Sequence, residues 1–376
     1  MTLAGWLFLA VSVLLGLAAV RSQAPLMFIL FGGMMGALHI SAILARRMLS
    51  AAQVRREAPS RVWQHQTVHI GYFLRNTRKR RPCLALGLSQ LLPDGIESTS
   101  GFCAHLPAGG SFRAGARFTA RRRGRFVLRA VRLNTFFPFG LIEATRKFEE
   151  EFPVVVWPAR GKLKRRLLRH GAVESSSLAP SRASGGQDEF FGLHEYRDGD
   201  NPRWIHWRRS AGRAAPVVRE MSRPLPEILW VILDTCQSDP SGAAESRREQ
   251  AIRFAATLID YAFSRQYKVG LALAYGSGPR VLSAEAGRGH RRALLDALAD
   301  IDSNTSWRLS DTAGPLRRGQ LAEAQVVVVT DGAADQAETL LRIGRSCRHM
   351  RVISSGTLDE FFEDGPIAVA EAAECR

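Results

Sequence analysis

Three features of the sequence predict a multidomain protein: a membrane-spanning helical hairpin, a small all-β sandwich-like domain, and an α/β domain with a mainly parallel, doubly wound sheet. The first is a pair of uncharged apolar stretches within residues 1–48, at about 2–20 and 25–45. The second is a set of short alternating runs over 58–158, broken by Pro, Gly, Asn and Asp. The third is the alternation of apolar strand runs with amphipathic helices from 226 to 376. At 376 residues the chain exceeds what one typical core fills.

Each apolar stretch is about long enough to cross a hydrocarbon core of ~30 Å. A secretory signal peptide is the rival reading of the first, but it has no basic n-region and no small-residue cleavage site before the second run. Gly32, Gly33 and Gly36 suit close helix–helix approach. Arg21 is the one base between the stretches, whereas Arg46, Arg47, Arg55 and Arg56 follow the second. The positive-inside rule therefore puts the N-terminus and all residues after 46 in the cytoplasm. Those four arginines would then meet anionic headgroups.

Charge sets the class of partner. A formal net charge of +17 and a pI near 10.8 imply an anionic one, either nucleic acid or a phospholipid surface. Cysteines 83, 103, 236, 347 and 375 form no C-x-x-C pair, which argues against a zinc site or a disulfide framework and fits a reducing compartment.

In the β region, Val68, Ile70, Tyr72 and Leu74 share one face by period-two alternation. Leu84–Leu88, Phe112–Phe118, Phe126–Leu133 and Val154–Trp157 are further strands, and such spacing suggests a sandwich. His65 and His69 would share a strand face as solvated surface groups. The knot Arg121–Arg125 reads as a solvated, membrane-facing or acid-paired surface, with nucleic-acid contact as the alternative. Phe136–Leu141 is a bulky turn. Residues 159–184 form a basic, Ser-rich junction whose first part, from Lys162 to Arg169, is helix-like.

Beyond it, EILWVIL (227–233) and QVVVVT (325–330) read as strands covered on both faces. Helices over 247–265, 289–301 and 335–348 place Ile252, Ala255, Ile259 and Ala262, and then Leu294, Leu298 and Ile301, on single faces. Gly276–Gly278 reads as a hairpin turn. Ligands of open α/β sheets bind beyond the carboxyl ends of strands. Two strands here end in acids, Asp234 and Asp331, and Ser238 and the loop Asn304–Ser306 could add hydroxyls. An oxygen-only set with retained water is what Mg²⁺ requires.

On these residues the last domain resembles a von Willebrand factor A-type domain. Asp234, Cys236 and Ser238 stand in its D-x-S-x-S motif, Thr305 matches the later threonine, and Asp331 the final acid. Cys236 is the departure, because a thiol is a poor ligand for a hard ion. The site is expected either to bind Mg²⁺ or to be a degenerate one held by hydrogen bonds, and no other cofactor is expected.

The stretch GGQDEFFGLHEYRDGDNPRWIHWRRSAGR at 185–213, within a segment spanning 185–225, carries a longer resemblance. It is similar to the signature of the bacterial "domain of unknown function 58" family. Glu189, Phe190, Glu195, Tyr196, Asp200, Arg203, Trp207 and Arg213 stand at matching positions. His194 replaces the usual arginine, and Gly212 is inserted before Arg213. The segments at 122–126 and 138–141 and the two leading helices are also similar to the family's. Read from its own residues, the stretch is a clasp. Asp188, Glu189, Glu195 and Asp200 would neutralise Arg197, Arg203, Arg208 and Arg213, while its aromatic rings cover a sheet edge. A docking surface is the alternative.

The resemblance implies a protein of the bacterial inner membrane, with its soluble domains in the cytoplasm. It implies an adaptor or chaperone-like role beside a MoxR-type AAA+ ATPase and transglutaminase-like membrane proteins, and no enzymatic reaction. The sequence agrees in having no P-loop, nucleophile elbow, H-E-x-x-H or dinucleotide fingerprint. The alternatives are nucleic-acid or anionic-surface binding through the basic patches, and an unrecognised hydrolase using the acids of 188–200.

Overall fold

The computed structural model describes residues 1–164, 167–168, 184–197, 200–212, 215–222, 227–236, 242–275, 278–301, 307–330 and 336–365. Along 184–192, and at 220–222, 242–243 and 275, it describes backbone only.

Helices α1 (Leu3–Ser22) and α2 (Pro25–Ala51) are joined through Gln23, whose φ of 52° ends the first. Both are long and apolar enough to cross a membrane. Leu7, Leu14, Leu17, Leu26 and Ile29 point outward. Thr2 starts α1 by accepting from Gly5 N at 2.9 Å, and its hydroxyl donates to Gly140 O at 2.8 Å. The apolar stretch ends at 45, but α2 runs on to Ala51 because its last turns bury Met48, Leu49 and Ala51 in the next domain. Arg146 satisfies the end of α2, donating to Leu49 O at 3.0 Å and Ser50 O at 3.2 Å.

Strand β1 (Ala52–Glu57) follows without a linker, so the sheet begins six residues before the expected 58. After it come β2 (Arg61–Trp63), β3 (Thr67–Asn76), β4 (Cys83–Leu91), β5 (Ile96–Ser98), β6 (Gly101–Leu106), β7 (Ser111–Ala120), β8 (Gly124–Thr135) and β9 (Ala144–Trp157). They form two sheets, ordered β1-β3-β7-β5 and β2-β9-β8-β4-β6, around one core. In β3, Ile70, Tyr72 and Leu74 point inward between exposed His69, Phe73 and Arg75. His65 lies in the preceding turn with a φ of 63°, not on that strand's face. Strand β9 starts ten residues earlier than expected, because its first half is a charged ribbon with only Ala144, Phe148 and Phe152 turned toward the core. Arg56 does not reach outward either. It is 4% exposed and donates to Leu128 O at 3.1 Å and Glu150 O at 3.2 Å.

The remaining elements are β10 (Lys162–Leu163), β11 (Ser184–Glu195), α3 (Trp207–Ser210), β12 (Val217–Ser222), β13 (Ile228–Leu233), α4 (Gly242–Ser264), β14 (Lys268–Tyr275), β15 (Gly278–Glu285), α5 (Arg288–Ala299), α6 (Leu309–Ala313), α7 (Arg318–Leu321), β16 (Ala324–Thr330), α8 (Ala337–Gly344), β17 (His349–Ser354), α9 (Leu358–Phe361) and β18 (Phe362–Glu363). The large sheet is mixed, ordered β15-β14-β13-β16-β17. Four strands run parallel, and β15 returns antiparallel along β14. Both faces are covered. Leu229, Val231 and Leu233 of β13 join Ile252, Ile259, Leu294 and Leu298 of α4 and α5 in one cluster. Trp230 and Ile232 join Leu309, Leu321 and Ile343 of α6 to α8 in the other.

The chain between the domains is not helical where it is described. Lys162 and Leu163 pair antiparallel with Glu363 and Phe362. Gly161 lets the strands meet there: any Cβ would run into the Phe362 ring and Glu363 O. Trp63, Val155 and Trp157 of the sandwich belong to the same apolar cluster as α4 and α5. Around it runs a row of ion pairs: Arg61–Asp296 at 2.9 Å, Arg125–Asp300 at 2.6 Å, Arg160–Asp260 at 3.1 Å and Arg123–Glu249. The arginine knot is thus acid-paired, with two of its acids in the other domain.

Arg123 is 7% exposed and Glu249 24%, so removing the acid strands a buried cation. Glu249→Ala is expected to lower stability by about 3 kcal/mol, and Arg123→Met/Glu249→Leu to recover most of it, by thermal or urea unfolding. Asp296 sets a pH dependence. Burial raises its pKa, but hydrogen bonds from Arg61 and Trp157 outweigh this and hold the carboxyl below the usual range. Its stabilisation is therefore present above the ordinary Asp value near ~3.9 and is lost as pH falls through the folded-state value. Asp296→Asn should flatten the acid limb of the stability–pH curve; an unchanged limb would remove Asp296 from this role.

Candidate functional site

Strands β11 and β12 make an antiparallel ribbon pairing Glu195 with Val217, His194 with Val218 and Leu193 with Arg219. Segment 185–213 therefore contains a strand that its mixed composition conceals. Tyr196 N donates to Pro216 O at 2.7 Å, and Ile205 bridges to Val218. Ser210 holds α3 against the ribbon, accepting from Val217 N at 2.9 Å and donating to His206 O at 3.1 Å. The side chains of Asp188, Glu189 and Phe190, and all of Arg213, lie outside the described residues.

Asp200 finds partners other than the expected arginines. Its Oδ2 accepts from Arg197 N at 2.8 Å and lies 2.9 Å from His194 Nε2. These contacts, the Arg197 backbone bond first, hold its carboxyl below the usual range. Asp200 lies three positions after Arg197, so the turn brings the amide closer than any guanidinium. His194, the departure from the family pattern, is the partner that the pattern concealed. Glu195 and Arg203 are exposed, and Arg203 N donates to Asn201 Oδ1 at 3.1 Å. Among the described residues Arg203 has no carboxylate partner. Trp207 covers no sheet edge, being 70% exposed.

The second locus is the sheet's switch point. Strand β13 leads into β14 on one side and has β16 on the other. The crevice between β13 and β16 is where open α/β sheets take ligands. Asp234 follows β13, and its N–H donates to Val329 O at 2.8 Å. Its Oδ2 lies 2.8 Å from both Thr330 Oγ1 and Gln336 Nε2, and its Oδ1 accepts from Cys236 N at 3.1 Å. Three donors thus take most of the lone pairs a cation would need. Burial and then Asp234 push the Cys236 thiol up, and a protonated thiol is no ligand for a hard ion. In this arrangement the described residues do not fit Mg²⁺. Ser238, Thr305 and Asp331 lie outside the described residues. Among the described residues no three His, Cys, Asp or Glu side chains gather as a metal site. In the sequence Thr330 reads only as the end of its strand, in front of Asp331, and Gln336 escapes that reading because it lies beyond the metal motif.

Beside this crevice a cavity of about 480 Å³ opens between the domains, lined by five arginines and three acids. Four of those arginines have carboxylate partners: Arg123–Glu249, Arg125–Asp300, Arg248–Glu245 and Arg253–Asp364. The first two are struts across the interface, whereas Arg248 and Arg253 pair within the α/β domain.

With these loci in place, comparison with known proteins assigns the region that contains them. Residues 193–373 match the family described as "Protein of unknown function DUF58". The chain carries a DUF58 domain. It is 22% identical over 333 residues to "Uncharacterized protein YeaD" of Bacillus subtilis (strain 168), covering 85% of this chain and 78% of that protein. It is also similar to a solved structure described as "AvmM Catalyzes Macrocyclization in Alchivemycin A Biosynthesis". That match is 12% identical over 29% of this chain and 91% of the other, with a TM-score of 0.20, and carries no argument. The DUF58 match begins at Leu193, inside the ribbon, and takes in both loci. It leaves the helices and the sandwich outside.

Asp234 is 8% exposed, and removing it leaves the Gln336 amide and Cys236 N–H without their acceptor. Asp234→Ala should destabilise the protein by about 2–3 kcal/mol and Asp234→Asn by less, read as unfolding free energies. Adding Mg²⁺ to the wild type should leave its melting temperature unchanged; a rise would show that the ion displaces these donors.

Proposed function

We propose that this protein is a membrane-anchored interaction module, an adaptor whose DUF58 region docks a protein partner. The observation that carries the reading is Trp207. A tryptophan 70% exposed, beside exposed Arg203, Arg208 and Arg209, is the composition in which binding energy concentrates. Its mounting supports the same reading. Ser210 and the Ile205–Val218 bridge hold α3 in place, so docking would spend little on ordering it. The partner class, a MoxR-type AAA+ ATPase with transglutaminase-like membrane proteins nearby, rests on the family resemblance, as does placement in a bacterial inner membrane. The outward apolar faces of α1 and α2 favour the anchor, and the arginines after residue 45 favour a cytoplasmic position for the domains.

We read the mixed sheet as a von Willebrand factor A-like domain with a degenerate metal site. What supports this is Asp234 at the switch point, with hydrogen-bond donors where the motif expects a cation. Nucleic-acid binding is less well supported, since Arg121, Arg123 and Arg125 are committed to Glu97, Glu249 and Asp300. No reaction is assigned.

The test is capture of a co-encoded AAA+ ATPase by the full-length protein in detergent, across nucleotide states. Trp207→Ala is expected to weaken capture at least about tenfold while leaving the melting temperature unchanged. Equal capture by both proteins would remove Trp207 from the interface, and no capture in any nucleotide state would sink the adaptor reading.

A further inference from the structure

The loop after β3 contains Arg78-Lys79-Arg80-Arg81. Four adjacent cations ordinarily splay apart in solvent, but here the fold gathers them. Asn76, 1% exposed, staples the loop from inside: its Nδ2 donates to Arg81 O at 2.9 Å and its Oδ1 accepts from Arg78 N at 3.0 Å. Gly109 N donates to Arg78 O at 2.6 Å. The loop is then tied to the end of the membrane helix. Thr77 N and Thr77 Oγ1 both donate to Ala51 O at 2.9 Å, and Arg78 reaches Ser50 Oγ at 3.4 Å.

The result is an open cavity of about 520 Å³ lined by Arg47, Arg78, Lys79, Arg80 and Arg81, with no acid in its wall. Among the described residues none of the five has a carboxylate partner, unlike the arginines between the domains. Five unneutralised cations repel one another within a Debye length, ~10 Å at 0.1 M salt, so the arrangement favours an anionic occupant. Its position says which one. Arg47 lies two residues, about 3 Å of helix rise, past the uncharged stretch that ends at 45. That is headgroup depth if α2 crosses the bilayer. Guanidinium forks suit the two free oxygens of a phosphodiester.

We propose that Arg47 and Arg78–Arg81 form a binding site for the phosphodiester headgroup of an anionic phospholipid, built jointly by the membrane helix and the β-domain. The site rests on the anchor reading given above but is independent of any protein partner. It would orient the domains against the bilayer, because the sandwich carries four of its five cations.

Native mass spectrometry of the full-length protein, extracted from membranes of phosphatidylcholine with a minor fraction of phosphatidylglycerol, tests it. The wild type should retain phosphatidylglycerol in excess of the bulk ratio. Arg78→Gln/Lys79→Gln/Arg80→Gln/Arg81→Gln should lower that excess by on the order of tenfold or more. The same charge loss at exposed Arg288, Arg292, Arg317 and Arg318 should leave it intact. Arg78→Lys/Arg80→Lys/Arg81→Lys keeps the charge and should lose part of the excess, as a forked site requires. No excess in the wild type, equal excess in the loop glutamine variant, or displacement of the lipid by soluble glycerol phosphate would each overturn the proposal. Alkaline carbonate extraction is read in parallel. Release of the wild type from the membrane would instead overturn the anchor on which the site rests.

Discussion

Arginines of the sandwich reach acids on α4 and α5 across a shared apolar cluster, and this contact sets the arrangement of everything else. Exposed ion pairs alone contribute little. Here Trp63 and Trp157 pack edge to face at 5.0 Å, Arg160 lies over the Trp63 ring at 4.3 Å, and Trp157 Nε1 donates to Asp296 at 2.7 Å. Separating the domains would expose those rings and strand Arg123 with its charge. The sandwich is in turn continuous with α2, through Met48, Leu49 and the Arg146 cap. The end of the apolar hairpin is therefore mechanically joined to the sheet whose central strand leads into Asp234.

Among the described residues, three arrangements of arginine stand out within the large positive charge. Some face acids across the interface, as Arg61 and Arg125 do. Others are turned inward as donors to backbone carbonyls, as Arg56 does for Leu128 and Arg146 for Leu49 and Ser50. The third kind, Arg47 with Arg78–Arg81, has no counter-charge among the described residues. This third group leaves its charges uncompensated in one cavity, and it lies at the foot of the apolar helices. A net charge therefore names a class of partner without locating the surface that meets it.

Asp200 and Asp234 show a related economy. Both sit where a sequence motif suggests ionic or metal partners, and both are satisfied mainly by uncharged donors. Backbone amides from Arg197 and Cys236, the Gln336 side chain and the Thr330 hydroxyl are close because they lie at turns or on the next strand. Neutral donors avoid the desolvation that a second buried charge would bring.

Local pattern sufficed wherever burial was periodic. The faces of β3 and α4, the apolar runs of β13 and β16, and the two uncharged helices were legible because alternation or a 3.6-residue repeat records which side meets the core. It failed where a strand faces water, as in the first half of β9, and where backbone pairing rather than apolar content makes the strand, as in β11 and β10. The DUF58 signature was legible as a motif, but its partners were not. His194 with Asp200, Gln336 with Asp234, and Arg78–Arg81 with Arg47 are pairings between side chains whose proximity depends on a turn, a sheet neighbour or a helix end. The sequence by itself determined the periodic elements, their order and the sign of the charge. Which charges cancel, which are buried and which stay open only the tertiary structure decided, because electrostatic partnership depends on distance in space.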